Sequence, residues 1–140
     1  MIFLNKDQFL RLLIELFSKY ESMITLHPDV IAELVVLLKG AGIEGQFLSK
    51  LEEYLFNLKS YGNDAIGSKG APMEHLAGES PLCSMRFPFA SSNVRILFVY
   101  QEEHLYLLAA FYERAGKKKT SYSAHTPIAR QRLEELLKER

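Results

Sequence analysis

The chain of 140 residues contains one cysteine, Cys83, and no tryptophan. A single thiol excludes an internal disulfide, so packing must carry the fold. The opening MIFLNKDQF has no basic segment ahead of an apolar core, and the reading is a reducing, cytoplasmic compartment. No apolar run approaches the ~20 residues of a membrane-spanning helix. No glycine-rich phosphate loop follows a strand-like run, and no serine stands in a nucleophile elbow. The histidines, His27, His75, His104 and His125, are scattered without metal-ligand spacing. The expectation is a protein with no metal, no cofactor and no membrane contact. Net charge is also absent, but unevenly so. Met1 to Cys83 carries 7 basic and 11 acidic residues, whereas Ser84 to Arg140 carries 10 basic and 6 acidic. That polarity points the C-terminal part toward an anionic partner.

With hydrophobic residues at 48% and charged residues at 24%, the composition is globular, and the length suits one domain over residues 1–140. Its first part, over 1–62, reads as helical. Asn5 and Gln8 form a near capping box for a helix over about 5–20, with Phe9, Leu13, Leu16, Phe17 and Tyr20 at helical spacing. His27-Pro28-Asp29 starts a second helix, striped by Ile31, Leu34, Val35 and Leu38 and stopped by Gly40 and Gly42. A third runs from about Gln46 to Ser60, with Leu48, Leu51, Leu55 and Leu58 on one face. The short connection predicts that the second and third helices pair antiparallel. Met23, Ile24 and Leu26 read as an apolar link. Gly62 to Pro81 is rich in turn formers, and MEHL at 73–76 fits a helical turn or a strand fragment.

Beyond it the period changes from 3.6 to 2. Cys83, Met85, Phe87 and Phe89 alternate with Ser84, Arg86 and Pro88. Val94, Ile96, Phe98 and Tyr100 share one face of a second run, with Arg95, Leu97 and Val99 on the other. Leu105 to Tyr112 is apolar on both faces. ASSN and QEEH are hairpin-length turns, so the three runs predict an antiparallel meander. Gly116 and the lysines read as a loop. Thr126-Pro127 reads as the cap of a last helix striped by Ala129, Leu133, Leu136 and Leu137. The predicted class is α+β: N-terminal helices on one face of an antiparallel meander of three to four strands, then a C-terminal helix.

Cations recur against this apolar background: Arg86, Arg95, Arg114 and the run Lys117, Lys118, Lys119. Arg95 interrupts a Leu/Val face, so it must reach solvent or pair with a carboxylate such as Glu113. Alternatively, Arg86 and Arg95 share a face, with Arg114 and the lysines at its rim. Converging guanidinium groups suit phosphate. Tyr122 and His125 add a ring for base stacking and a titratable group.

Asn93-Val94-Arg95-Ile96, LYLLAAFYER at 105–114, GKKKTSY and Ala129 to Leu133 together resemble the RelE/ParE superfamily of bacterial toxins, nearest its HigB-like and phage-derived members. The likeness covers about Met73 to Leu137 and rests on the order of its elements. It implies a type II toxin–antitoxin toxin: a metal-free endoribonuclease (an mRNA interferase) cleaving messenger RNA on the ribosome by 2′-hydroxyl attack. A small helix-turn-helix antitoxin is the implied partner. Arg86 and Arg95 would stabilise developing charge. Arg114 and Lys117 to Lys119 would hold the RNA backbone, and Tyr122 or His125 would stack on a base or move a proton. The neutral net charge and the long helical N-terminus depart from the family pattern. The alternative is a non-catalytic or gyrase-targeting relative acting as a protein-binding module.

Overall fold

A computed structural model describes residues 5–89, 92–114 and 117–139. The MIFL opening, Gly116 and part of the ASSN turn lie outside the described residues. Nine helices and strands follow in the order α1 (Lys6–Lys19), β1 (Ile24–Leu26), α2 (Pro28–Leu38), α3 (Glu44–Tyr61), β2 (Met73–His75), β3 (Cys83–Phe89), β4 (Ser92–Gln101), β5 (His104–Tyr112) and α4 (Lys118–Lys138). A 3-10 turn over Gly62–Ala65 follows α3.

The starts of α1 and α2 are local chemistry. The Asn5 side chain accepts the Gln8 backbone N–H, and Gln8 returns a bond to the Asn5 backbone, a complete capping box. In α2 the His27 ring accepts from Asp29 N–H, and Pro28 stands at the first helical position. Gly40 and Gly42, both at positive φ, carry the chain out of α2.

The sheet has five strands in the order β1-β5-β4-β3-β2. The meander is antiparallel as predicted, but β1 adds a parallel edge beside β5 through Ile24↔Leu105 and Leu26↔Leu107. β2 adds the other edge, antiparallel to β3. The Met23–Leu26 link is therefore a strand. At three residues it is too short for alternation to register.

Both faces of this sheet are covered, which corrects the expectation of helices on one face. Met85, Phe87, Val94, Ile96, Phe98, Leu105 and Leu107 pack into one core with Phe9, Leu13, Leu34, Phe47, Leu51 and Leu55 of α1, α2 and α3. On the reverse face Leu97, Val99, Tyr106, Leu108, Ala109 and Phe111 pack with Tyr122, Ala129 and Leu136 of α4. Leu108 is the extra residue of a bulge: Leu97 pairs with Ala109 and Phe98 with Leu107. The bulge lets Leu108 and Ala109 both meet the α4 core.

Three further expectations change. α1 packs on both α2 and α3, which make little contact with each other, so there is no α2–α3 hairpin. Pro127 lies inside α4 instead of opening it. An interior proline costs ~3 kcal/mol; burial of Tyr122 and Thr126 before it and Ala129 and Leu136 after it offsets this. Leu137, assigned to the stripe of α4, is 39% exposed, whereas Leu136 is buried.

Candidate functional site: the α4 N-terminus against β2, β3 and β4

Register sets Arg86 directly opposite Arg95, on the α4 side of the sheet. The two arginines nevertheless do different things. Arg95 is 2% exposed. Its Nε donates to Glu113 Oε1 at 3.1 Å and its Nη1 to the Val94 carbonyl at 3.1 Å. The carboxylate pairing foreseen for Arg95 is thus realised. Arg86 is half-buried and reaches outward, its Nη1 donating to the Gly70 carbonyl at 3.3 Å. Its own carbonyl accepts from the Tyr54 hydroxyl at 2.6 Å. Arg114 is exposed, held by its backbone N–H donating to Ser121 Oγ at 3.2 Å. Arg86, Arg95 and Arg114 therefore do not line one open concavity.

The other predicted side chains gather around the start of α4. Tyr122 meets Ser84 at 2.8 Å, hydroxyl to hydroxyl, and its ring stands edge-on to Phe111 at 5.1 Å. Burial raises its phenol above the ordinary value, opposed by the Ser84 hydrogen bond and the Arg95 charge. His125 stacks on Phe111, with ring centroids 4.3 Å apart, and its Nδ1–H donates to the Ser121 carbonyl at 2.8 Å. The His125 ring faces a protein ring, so base stacking falls to another residue in this arrangement.

Lys117 is the N-cap residue of α4, and Lys118 and Lys119 lie in its first turn, which contains no acidic residue. The first N–H groups of a helix lack intrahelical partners, and its dipole makes that end positive. Three lysines there reinforce the dipole, concentrating positive potential where an anion is best accommodated.

Beside this helix start is a cavity of about 470 Å3, lined among others by Lys69, Glu74, His75, Lys118, Lys119 and Tyr122. Glu74 is its deepest charge. Only 2% exposed, it accepts from Gly70 N–H at 2.9 Å and from Lys118 Nζ at 3.5 Å. The Lys118 ammonium also sits 5.8 Å from the Tyr122 ring centroid. Glu74 was not among the residues the sequence suggested. Its one signal was a carboxylate inside the apolar fragment Met73 to Leu76, which becomes meaningful only once β2 pairs Glu74 with Ser84. Cys83, on the opposite face, touches His75 Nδ1 at 3.3 Å, and burial pushes its thiol up to about 11. It remains a protonated core group at neutral pH.

A buried carboxylate, a phenol held protonated and a cluster of ammonium groups around a helix N-terminus can bind a phosphodiester and exchange protons with it. Comparisons of the chain with protein-family models, curated proteins and solved structures return no match.

Proposed function

We propose that this chain is the toxin of a type II toxin–antitoxin pair and cleaves messenger RNA at the cavity between β2 and the start of α4. The observation that carries the reading is the convergence of Glu74, Tyr122, Lys118 and Lys119 on that cavity. Support also comes from the resemblance to RelE/ParE toxins over the same residues. In this scheme the Lys117, Lys118 and Lys119 side chains at the positive end of α4 seat the scissile phosphate, and exposed Arg114 holds the flanking backbone. The 2′-hydroxyl attacks phosphorus and gives its proton to the Glu74 carboxylate. The 5′-oxygen leaves with the proton of the Tyr122 phenol, producing a 2′,3′-cyclic phosphate and a 5′-hydroxyl end. Arg95 acts in this scheme as a positioning residue, because its guanidinium already holds Glu113.

The second reading, a protein-binding relative without catalysis, is favoured by that same burial of Arg95. Mapping of 5′ ends after brief induction in growing cells separates the two. New 5′ ends across messenger RNA are expected, and Glu74→Gln and Tyr122→Phe should remove them while far-UV circular dichroism is unchanged. Growth arrest without new ends would refute ribonuclease activity and leave the binding module. RNA affinity should also fall steeply with salt if lysines contact phosphates; a flat response would argue for a protein partner.

A further inference from the structure

A cavity of about 740 Å3 lies at the other end of the sheet. The β4–β5 turn that forms one of its walls is separated from the start of α4 by the length of the strands, roughly 30 Å for nine or ten residues. Its lining includes Tyr20, Lys59, Tyr61, Tyr100, Glu102 and Glu103. Three phenol rings, two carboxylates and the ends of two helices meet there.

The balance of charge is negative. α1 ends at Lys19 and α3 at Tyr61, so both helices bring their carbonyl ends to this cavity. Glu102 and Glu103 form no ion pair among the described residues. Lys19, also in the wall, is neutralised by Glu52 at 2.6 Å. Lys59 remains as the one uncompensated cation of the lining. Tyr20 is independent of this acidic pair. It is 4% exposed and lines the cavity, and its hydroxyl makes no hydrogen bond among the described residues. Its ring already attracts cations: the Lys19 and Lys59 ammonium groups lie 5.6 and 5.9 Å from its centroid. Tyr61 stands exposed at the mouth.

The turn itself is unusual in composition. Both central residues, Glu102 and Glu103, have positive φ, 53° and 61°. Two-residue hairpin turns of this form favour Asn-Gly, because an L side chain in that region costs roughly 1–2 kcal/mol. Here the positions carry carboxylates instead, beside Tyr100.

We propose that this cavity is a binding site for a small organic cation bearing ammonium or guanidinium groups, held by Glu102 and Glu103 and stacked against Tyr61 and Tyr100, with buried Tyr20 in the wall behind them. The site is separate from the phosphate-binding cavity, and its ligand chemistry is opposite in sign.

The test is calorimetric titration of the full chain at low salt with spermidine and, separately, agmatine. Saturable binding at one site per chain is expected, with affinity reduced at least ~10-fold in the E102Q/E103Q double variant. Tyr61→Ala should also weaken it. The E102N/E103G variant keeps the turn and removes its strain, so it should unfold at a higher temperature yet lose binding. E134Q/E139Q, which removes one carboxylate from α4 and one from its C-cap, should leave affinity unchanged. Absence of saturable binding by either probe, undiminished affinity in E102Q/E103Q, or an equal loss in E134Q/E139Q would overturn the proposal. Growth arrest and 5′ ends should be unaffected by E102Q/E103Q, so failure here is distinguishable from failure of the ribonuclease reading.

Discussion

The Arg95–Glu113 pair gives a quantitative test of how the two sides of a buried ion pair share its cost. The partners are unequally desolvated: the Arg95 side chain is 2% exposed and that of Glu113 15%. Removing one member of a buried pair typically costs about 3–5 kcal/mol, because the survivor keeps its desolvation penalty without its counter-charge. Glu113→Gln leaves a guanidinium under α4 without a counter-charge, with only neutral acceptors, the Gln amide oxygen and the Val94 carbonyl, beside it. Arg95→Met strands a carboxylate that retains access to water. Glu113→Gln should therefore lie toward the upper end of that range and Arg95→Met at or below its lower end. For a domain of ordinary stability, about 5–15 kcal/mol, a 3 kcal/mol loss lowers Tm by roughly 10 °C. The double variant Arg95→Met/Glu113→Gln carries no orphaned charge and should recover most of the loss. Urea unfolding followed by circular dichroism at 222 nm measures all four corners of the cycle. The reasoning is refuted if Arg95→Met costs more than Glu113→Gln, or if the double variant is no better than the sum of the singles.

Three further outcomes follow from buried groups. The Tyr54 phenol is raised to about 12 by burial, chiefly, and by the Glu53 charge; above the ordinary value of 10 the unfolded chain releases its proton first. Stability should fall as pH rises from 10 toward 12, and Tyr54→Phe, measured by urea unfolding across that window, should flatten part of the fall. Both Glu44 carboxylate oxygens are buried without a hydrogen-bond partner. Glu44→Gln removes a desolvated charge and should stabilise the fold by about 1 kcal/mol in urea unfolding, or at the least not destabilise it. The Cys83 thiol, buried and raised to about 11, should react with a disulfide reagent at pH 8 far more slowly in the native chain than in urea; equal rates would place it in solvent.

Much of the sheet was legible in the sequence. Alternation in Cys83 to Phe89 and in Val94 to Tyr100 assigned side chains to faces correctly, and the hairpin turns set Arg86 opposite Arg95. Glu113 could be named as a partner for Arg95 because it follows the neighbouring strand directly. The two-sided cover was also implicit. Strands apolar on both faces need packing on both, and α4 is the element available for the second face. The expected one-sided layer conflicted with that pattern. The start of α4 was hidden because lysines and a Thr-Pro pair imitate a loop followed by a cap, and tertiary packing overrides that signal. β1 and β2 escaped because three residues cannot establish a period. Glu74 escaped with β2, since its importance comes from pairing across to Ser84 and from Lys118, distant in sequence.

The parallel pairing of β1 with β5 also bears on how the chain reaches its fold. Leu26 and Leu107 are separated by the whole of α2, α3 and the meander, so the edge registers only after most of the chain exists. Local hairpins can zip early, whereas this contact closes a loop of some eighty residues and forms more slowly for that separation. A ribosome-bound chain cannot complete the sheet until β5 has emerged. Until then β1 and the edge of β4 that β5 will cover have no strand beside them, and the growing polypeptide is at its most prone to pair with a neighbour.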